Sequence, residues 1–255
     1  MRKVISRAWR IPATGFCFAT FGIGGLLLSV IIFGAQRLIY RDERLRKAKA
    51  RRTVHYAFKF FIGLMRCVGI ARFHVYPKSE LTDLQGHLVL ANHPSLIDIV
   101  VLISAIPNAD CVVKASLLRN PFMRGVIKGT GYISNSDPES LLDDCETSLK
   151  QGNNLIIFPE GTRTTPSEAM RFRRGAANIA IRCNAPVLPL LIRVRPTTLT
   201  KSEMWYQVPE RRFQFEVFAT RKNLECKVAG QSLAKQSRIY TRTLQAFFEQ
   251  ELQAL

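Results

Sequence analysis

At 255 residues the chain has room for one catalytic domain plus an accessory segment, and its ordinary composition, free of low-complexity tracts and repeats, argues against a disordered or fibrous protein. The formal net charge of +18 is the outlier, and it attracts anionic partners: phospholipid headgroups, nucleic acid, coenzyme A or an acidic carrier protein. Six single cysteines (Cys17, Cys67, Cys111, Cys145, Cys183, Cys226), with no CxxC and no Cys/His pairing at metal spacing, speak against a disulfide framework or zinc and read as reduced, mostly core residues.

From Ile11 to Gln36 no residue is charged, and about twenty apolar residues suffice to cross the hydrocarbon. Arg2, Lys3, Arg7 and Arg10 resemble the positive start of a cleaved signal peptide. The apolar run is long for that role, however, and it ends in Arg37, Arg41 and a basic block rather than a small-residue cleavage site. It therefore reads as a retained anchor. The heavier basic cluster, Arg44 to Arg52, lies on its C-terminal side and places the main domain in the cytoplasm. Gly22, Gly24 and Gly25 leave a hairpin or kinked one-leaflet insertion open. Tyr56 to Phe73 mixes aromatics and aliphatics with Lys59, Arg66 and Arg72, which suits either an interfacial helix with snorkelling cations or a partly buried domain helix. The chain divides into an anchor, residues 1–73 (helix 11–36, basic linker, interfacial helix 56–73), and a domain, residues 74–255.

Beyond residue 75 short apolar runs predict strands at His87–Ala91, Cys111–Lys114, Asn154–Phe158, Val187–Val194 and Phe213–Phe218. Helical segments lie between and after them: Ser95–Ala105, Pro138–Gln151, Arg171–Asn184 and Gln231 to about Leu252. Such alternation predicts an α/β domain with a largely parallel sheet, in which sites collect where strands end.

Two segments carry chemistry. In Ala91-Asn92-His93-Pro94-Ser95-Leu96-Ile97-Asp98, Pro94 fits the first position of a helix. On a single helix His93 and Asp98 would point about 140° apart; with His93 on the preceding loop and Asp98 on the second turn, they can meet. Asp98 would fix one imidazole nitrogen as N–H, leaving the other to accept a proton, a role worth roughly 10²–10⁴ in rate. With no GxSxG elbow and no cysteine beside the pair, direct attack by an acceptor hydroxyl is more natural than an acyl-enzyme.

The second segment is Phe158-Pro159-Glu160-Gly161-Thr162-Arg163, entering a turn from a strand. Gly161 permits a tight turn with exposed amides and Arg163 can grip a phosphate in a fork. Glu160 would repel an anionic substrate, so it would orient Arg163 or bond a substrate hydroxyl. Arg173 and Arg174 downstream are phosphate or carrier contacts, or a solvated helix face.

These two segments resemble the NHxxxxD and FPEGTR motifs of the glycerolipid (lysophosphatidate) acyltransferase family, and the likeness runs from about Leu88 to Val194. Val113-Lys114-Ala115-Ser116-Leu117-Leu118-Arg119-Asn120-Pro121-Phe122 is similar to the family's lysine-bearing segment. Ala185-Pro186-Val187-Leu188-Pro189-Leu190 looks like its proline-rich fourth motif, part of the apolar acyl pocket. The resemblance implies a mixed, largely parallel sheet wrapped by helices with an N-terminal helical pair embedded in the bilayer. It also implies substrate contacts from Glu160, Gly161, Thr162, Arg163, Lys114, Arg173 and Arg174, and an acyl pocket containing Pro186 and Pro189. One family feature is missing. Where the second motif carries a phosphate-binding arginine, this chain reads Gly131-Tyr132-Ile133-Ser134-Asn135-Ser136-Asp137.

The expectation is a bacterial inner-membrane enzyme with a cytoplasmic catalytic domain, needing no cofactor or metal. It would transfer a fatty acyl group from acyl-carrier protein or coenzyme A to a lysophosphatidate-like acceptor, with His93 as base and Asp98 as its orienter. Another lipid acceptor is the alternative raised by the missing arginine. A thioesterase, or a non-catalytic protein binding anionic membranes, competes more distantly. Nucleic acid is not an expected partner, since aromatic-rich RNA-binding signatures and zinc modules are absent.

Overall fold

The computed structural model describes residues 2–165, 168–220, 224 and 231–255. Helix α1 (Arg2–Leu27) passes through one π-helical turn, Leu28–Ile32, into α2 (Phe33–Ile39). The apolar span Arg7–Ile39 is 33 residues long, and only 11% of its most apolar window is buried. Asp42 then caps α3 (Glu43–Cys67), its carboxylate accepting the Leu45 N–H at 2.6 Å.

Helix α3 corrects two expectations. The basic block Arg44–Arg52 is no linker but the helix's first turns, and the interfacial helix expected over 56–73 is its second half, ending at Cys67. Lys, Arg and Ala are strong helix formers, and nothing interrupts them until Gly69, whose φ of +80° ends the run. Ala71–Tyr76 then forms β1, an inner-outer alternating strand that straddles the expected boundary at residue 73.

The remaining elements follow in order: α4 (Ser79–Thr82), β2 (Leu88–Ala91), α5 (Asp98–Ala105), β3 (Ala109–Val113), α6 (Pro121–Thr130), β4 (Ile133–Ser134), α7 (Pro138–Lys150), β5 (Asn154–Ile157), α8 (Arg174–Cys183), β6 (Val187–Arg195), β7 (Phe213–Ala219) and α9 (Leu233–Ala254). The five expected strands and four expected domain helices appear with ends shifted by up to three residues; β1, α4, β4 and α6 are additional. The seven strands form one sheet in the order β1-β7-β6-β2-β5-β3-β4, parallel throughout except for the antiparallel pair β6–β7.

Helices α1, α3, α5 and α6 cover one face of the sheet, and α7, α8 and α9 the other. The central strands β2 and β5 are closed over on both faces, which is why they read as unbroken apolar runs rather than alternating ones. Cys17, Cys111 and Cys145 are buried, Cys183 is partly covered and Cys67 is exposed; all five are free thiols, and Cys226 lies outside the described residues.

Helix α1 does not stand away from this body. Phe21 packs on Phe58 and Phe61 of α3 at ring-centroid distances of 5.8 and 5.3 Å. Further along, Ser29 and Phe33 press against Gly125 and Gly129 of α6, where side chains larger than hydrogen would collide.

Candidate active site

The parallel neighbours β2 and β5 end side by side, with Leu90 level with Ile157. His93 follows the end of β2 and Glu160 follows the end of β5, so the two motifs meet across one strand spacing. Asn92 fixes the exit from β2. Its side chain accepts the Ile192 N–H at 2.7 Å and donates to the Ile192 carbonyl at 2.8 Å, extending the ladder to β6 by an amide that mimics backbone.

The chain then makes a turn rather than the helix start expected at Pro94: α5 begins at Asp98 itself. The turn brings Asp98 back onto His93. Oδ2 of Asp98 accepts from His93 Nδ1 at 2.7 Å and from the Ser95 N–H at 2.8 Å. Asp98 is wholly buried, and its Oδ1 has no partner among the described residues. Burial pushes its carboxyl up to about 6, against the opposing pull of His93 and the Ser95 amide and with Glu160 adding to the rise. The His93 ring is 18% exposed and stacks on Phe158, centroids 4.0 Å apart and planes 15° from parallel. With Nδ1 occupied, Nε2 is the nitrogen able to take a proton.

Glu160 turns toward the protein rather than toward Arg163. It is buried, and one oxygen accepts both the His93 backbone N–H at 2.8 Å and the Thr164 hydroxyl at 3.0 Å, while Thr164 N–H donates to the His93 carbonyl at 2.7 Å. Burial raises its carboxyl above the ordinary range, with the His93 amide and the Thr164 hydroxyl pulling the other way. Glu160 is thus a clamp on the His93 main chain.

Arg163 is also engaged within the protein: Nη1 donates to the carbonyls of Leu199 and Thr200 at 3.0 and 2.7 Å. Gly161 takes φ +65°, and its N–H closes a turn onto the Phe158 carbonyl at 2.9 Å instead of pointing outward. The Arg173 side chain lies across it, 3.1 Å from where a Cβ would stand. Thr162 is half-buried on the same turn, and Lys114 and Arg173 are exposed. Arg174 lines a separate depression among α7, α8 and α9.

Pro186 and Pro189 stand apart from the apolar cavity nearest His93. Pro186 precedes β6, its carbonyl accepting from Leu88 at the start of β2, the opposite end of the sheet from His93. Pro189 is buried in β6 on the face of Leu191, which packs toward α7, α8 and α9. The apolar cavity, about 280 Å³, lies on the other face, between α1, α3, α5 and the β6–β7 loop (residues 196–212). Leu96 and Ile97, from the turn between His93 and Asp98, form part of its wall, along with Thr14, Phe61, Val100, Met123 and Trp205.

The structure thus joins an α/β sheet, a His–Asp pair just beyond β2 and an apolar chamber walled by the same turn. A family model described as Acyltransferase matches residues 72–193. A 1-acyl-sn-glycerol-3-phosphate acyltransferase of the Brassica napus chloroplast is 25% identical over 72% of this chain and 55% of its own length. The enzyme of the same name from Helicobacter pylori is 34% identical over 43% of this chain and 49% of its own, and the human alpha form 25% identical over 79% and 69%. The first of these relatives are therefore matched over about half their length. The crystal structure of the 1-acyl-sn-glycerophosphate acyltransferase PlsC from Thermotoga maritima superposes with a TM-score of 0.68, covering 100% of this chain and 99% of that one at 20% identity. The chain thus shares its fold with PlsC over its whole length and is similar in sequence to this group of acyltransferases over residues 72–193.

Proposed function

We propose that this protein is a membrane-seated O-acyltransferase that esterifies a lysophosphatidate-like lipid with a fatty acyl group carried as a thioester on acyl-carrier protein or coenzyme A. The observation that carries this reading is the His93–Asp98 contact of 2.7 Å beside an apolar cavity walled by the same turn. The acceptor hydroxyl gives its proton to Nε2 of His93 as its oxygen attacks the thioester carbonyl. Collapse of the tetrahedral species breaks the C–S bond, and His93 returns the proton to the departing thiolate. Asp98 stabilises the imidazolium in between. The thioester supplies the activation, and the acyl chain occupies the cavity, which is large and apolar enough to compete with the bilayer for it.

The membrane seat is α1. Trp9, Phe16 and Ile23 along it, and Val30 and Leu38 along its continuation into α2, are all exposed, yet its other side packs on α3 and α6. A helix bound to the catalytic body on one side and bare on the other lies in one leaflet rather than crossing. The charge of α3's first turns supports a cytoplasmic side for the catalytic body, at the inner membrane on this reading.

A second acceptor class is favoured by one observation. The segment Ser134–Asp137 holds no cation, and Asn135 is used to accept the Ala115 N–H at 2.9 Å, while Arg163 is turned onto carbonyls. Arg173 and Lys114 are exposed cations that a phosphate headgroup could still use. The test is transfer from labelled acyl-carrier protein and acyl-coenzyme A to lysophosphatidate, with His93→Ala as control. His93-dependent transfer supports the primary reading. His93-dependent transfer only to another lipid of a membrane extract moves the assignment to the second class. Transfer that survives His93→Ala refutes the mechanism.

A further inference from the structure

The loop between β6 and β7 carries three consecutive large side chains at its tip, and all stand in the open: Met204, Trp205 and Tyr206 are 56%, 45% and 50% exposed. An apolar and aromatic tip bared to water is costly in a soluble protein, and Trp and Tyr are the residues that favour the boundary between headgroups and acyl chains.

This tip is tied to α1 at two points. Trp205 packs over Gly15, where a Cβ would stand 3.1 Å from its ring, and its centroid lies 6.2 Å from that of Phe18. One turn earlier on α1, the guanidinium of the buried Arg10 donates to the Glu210 carbonyl of the loop. Wherever the bare side of α1 is seated, the loop is held at the same level. The exposed Trp9 of α1 stands on that side as well, its indole N–H donating to the Val68 carbonyl at 2.9 Å. Exposed Lys201, Arg211 and Arg212 flank the tip, placed for anionic headgroups. Behind the tip, Trp205, Val208 and Pro209 are part of the cavity wall.

We infer that the β6–β7 loop is a second membrane-seating element, its Met204-Trp205-Tyr206 tip entering the lipid leaflet beside α1. The chemistry it recognises is a bilayer interface, not a protein surface: the apolar strip is continuous with α1, and the charges flanking it, Lys201, Arg211 and Arg212 against Glu203 and Glu210, leave a net positive rim. The cavity wall and the leaflet then share Trp205, and a lipid reaches the chamber sideways without passing through water. This inference rests on α1 being the membrane seat.

The test uses the fact that the chain has two tryptophans, Trp9 and Trp205. In the full-length Trp9→Phe variant, emission reports Trp205 alone. The protein is mixed with phosphatidylglycerol–phosphatidylethanolamine vesicles containing a lipid brominated near the top of its acyl chains, and binding is followed by flotation. The expected result is flotation, at least twofold quenching of Trp205 by the brominated lipid, and loss of quenching by aqueous acrylamide. A Met204→Ser/Tyr206→Ser double variant should float with an apparent partition coefficient about tenfold lower. Flotation without lipid quenching of Trp205 overturns the inference and leaves the α1 seat intact; failure to float removes both.

Discussion

A carboxylate oxygen of Glu160 accepts the backbone N–H of His93 at 2.8 Å, so the segment after β5 holds the segment after β2 by its main chain. The bond crosses from the end of β5 to the end of β2, and it sets where the imidazole sits before Asp98 sets how it is turned. Replacing Glu160 by Ala leaves that buried N–H without its acceptor, at a cost of about 1–3 kcal/mol, and frees the His93 turn. The expected outcome is a fall in kcat of about 10²-fold with the KM for the lipid acceptor unchanged. Glu160→Gln keeps an oxygen in place and should lose about tenfold or less. A change confined to KM would mean that Glu160 touches substrate after all.

On the proposed mechanism, ionisation of Asp98 makes activity depend on pH. Its carboxyl is pushed up from 3.8 to about 6 by burial, so between those values the folded protein holds a proton that the unfolded chain has released. Stability therefore declines as pH rises through that window and levels off above it. Activity moves the other way, because only the ionised carboxylate accepts from His93 Nδ1–H and stabilises the imidazolium. A kcat profile should rise through an apparent midpoint near 6. Asp98→Asn should lower kcat by about 10²-fold or more, abolish that limb, and remove the decline in thermal stability over the same window. A limb at an unchanged midpoint in Asp98→Asn would assign it to another group.

What the sequence made legible follows from which structure is local. The buried strands β2, β5 and β6 read as apolar runs, and His93 and Asp98 are only five residues apart, so one turn decides their meeting. β1 was concealed because Ala71–Phe73 continue an apolar segment that begins in α3, and only the φ of Gly69 separates them. The start of α6 carries a local signal: Asn120 caps it, accepting the Phe122 N–H at 2.9 Å, with Pro121 in the first turn. The cavity had no such signal. Thr14, Phe61, Val100, Met123 and Trp205 come from five separate segments, and the prolines near β6 attracted the assignment through resemblance alone. Glu160 looked like a ligand because the hydrogen bond that occupies it comes from a backbone amide 67 residues away.

Thr14 offers a way to shorten the cavity at little structural cost. It lines the chamber, it is buried, and its Oγ1 has no hydrogen-bond partner among the described residues, so replacing it forfeits no bond. Thr14→Phe would fill space equal to roughly two or three methylenes, each worth about 0.8 kcal/mol when buried. Transfer from long-chain donors should fall by about 30-fold relative to donors a few carbons shorter, whose rates should hold. Equal losses across chain lengths would show that the acyl chain lies elsewhere.

The seating of α1 on α6 depends on two glycines. A Cβ on Gly125 would stand 2.4 Å from Ser29 Cβ, and one on Gly129 would stand 2.3 Å from the Phe33 ring, both too close for the helices to keep their separation. Alanine raises helix propensity by about 1 kcal/mol over glycine, so substitution is a contest between propensity and overpacking of about 1–3 kcal/mol. Gly63 of α3 isolates the first effect, since nothing lies within 4 Å of its Cβ position. Gly63→Ala should raise the thermal midpoint in detergent, whereas Gly125→Ala and Gly129→Ala should lower it. Adding Ser29→Gly to Gly125→Ala should recover part of the loss, because the clash is with Ser29 Cβ rather than with a flexible tip. If Gly125→Ala instead behaves like Gly63→Ala, α1 is not packed against α6 in solution, and the one-leaflet seat loses the contact that keeps the helix beside the catalytic body.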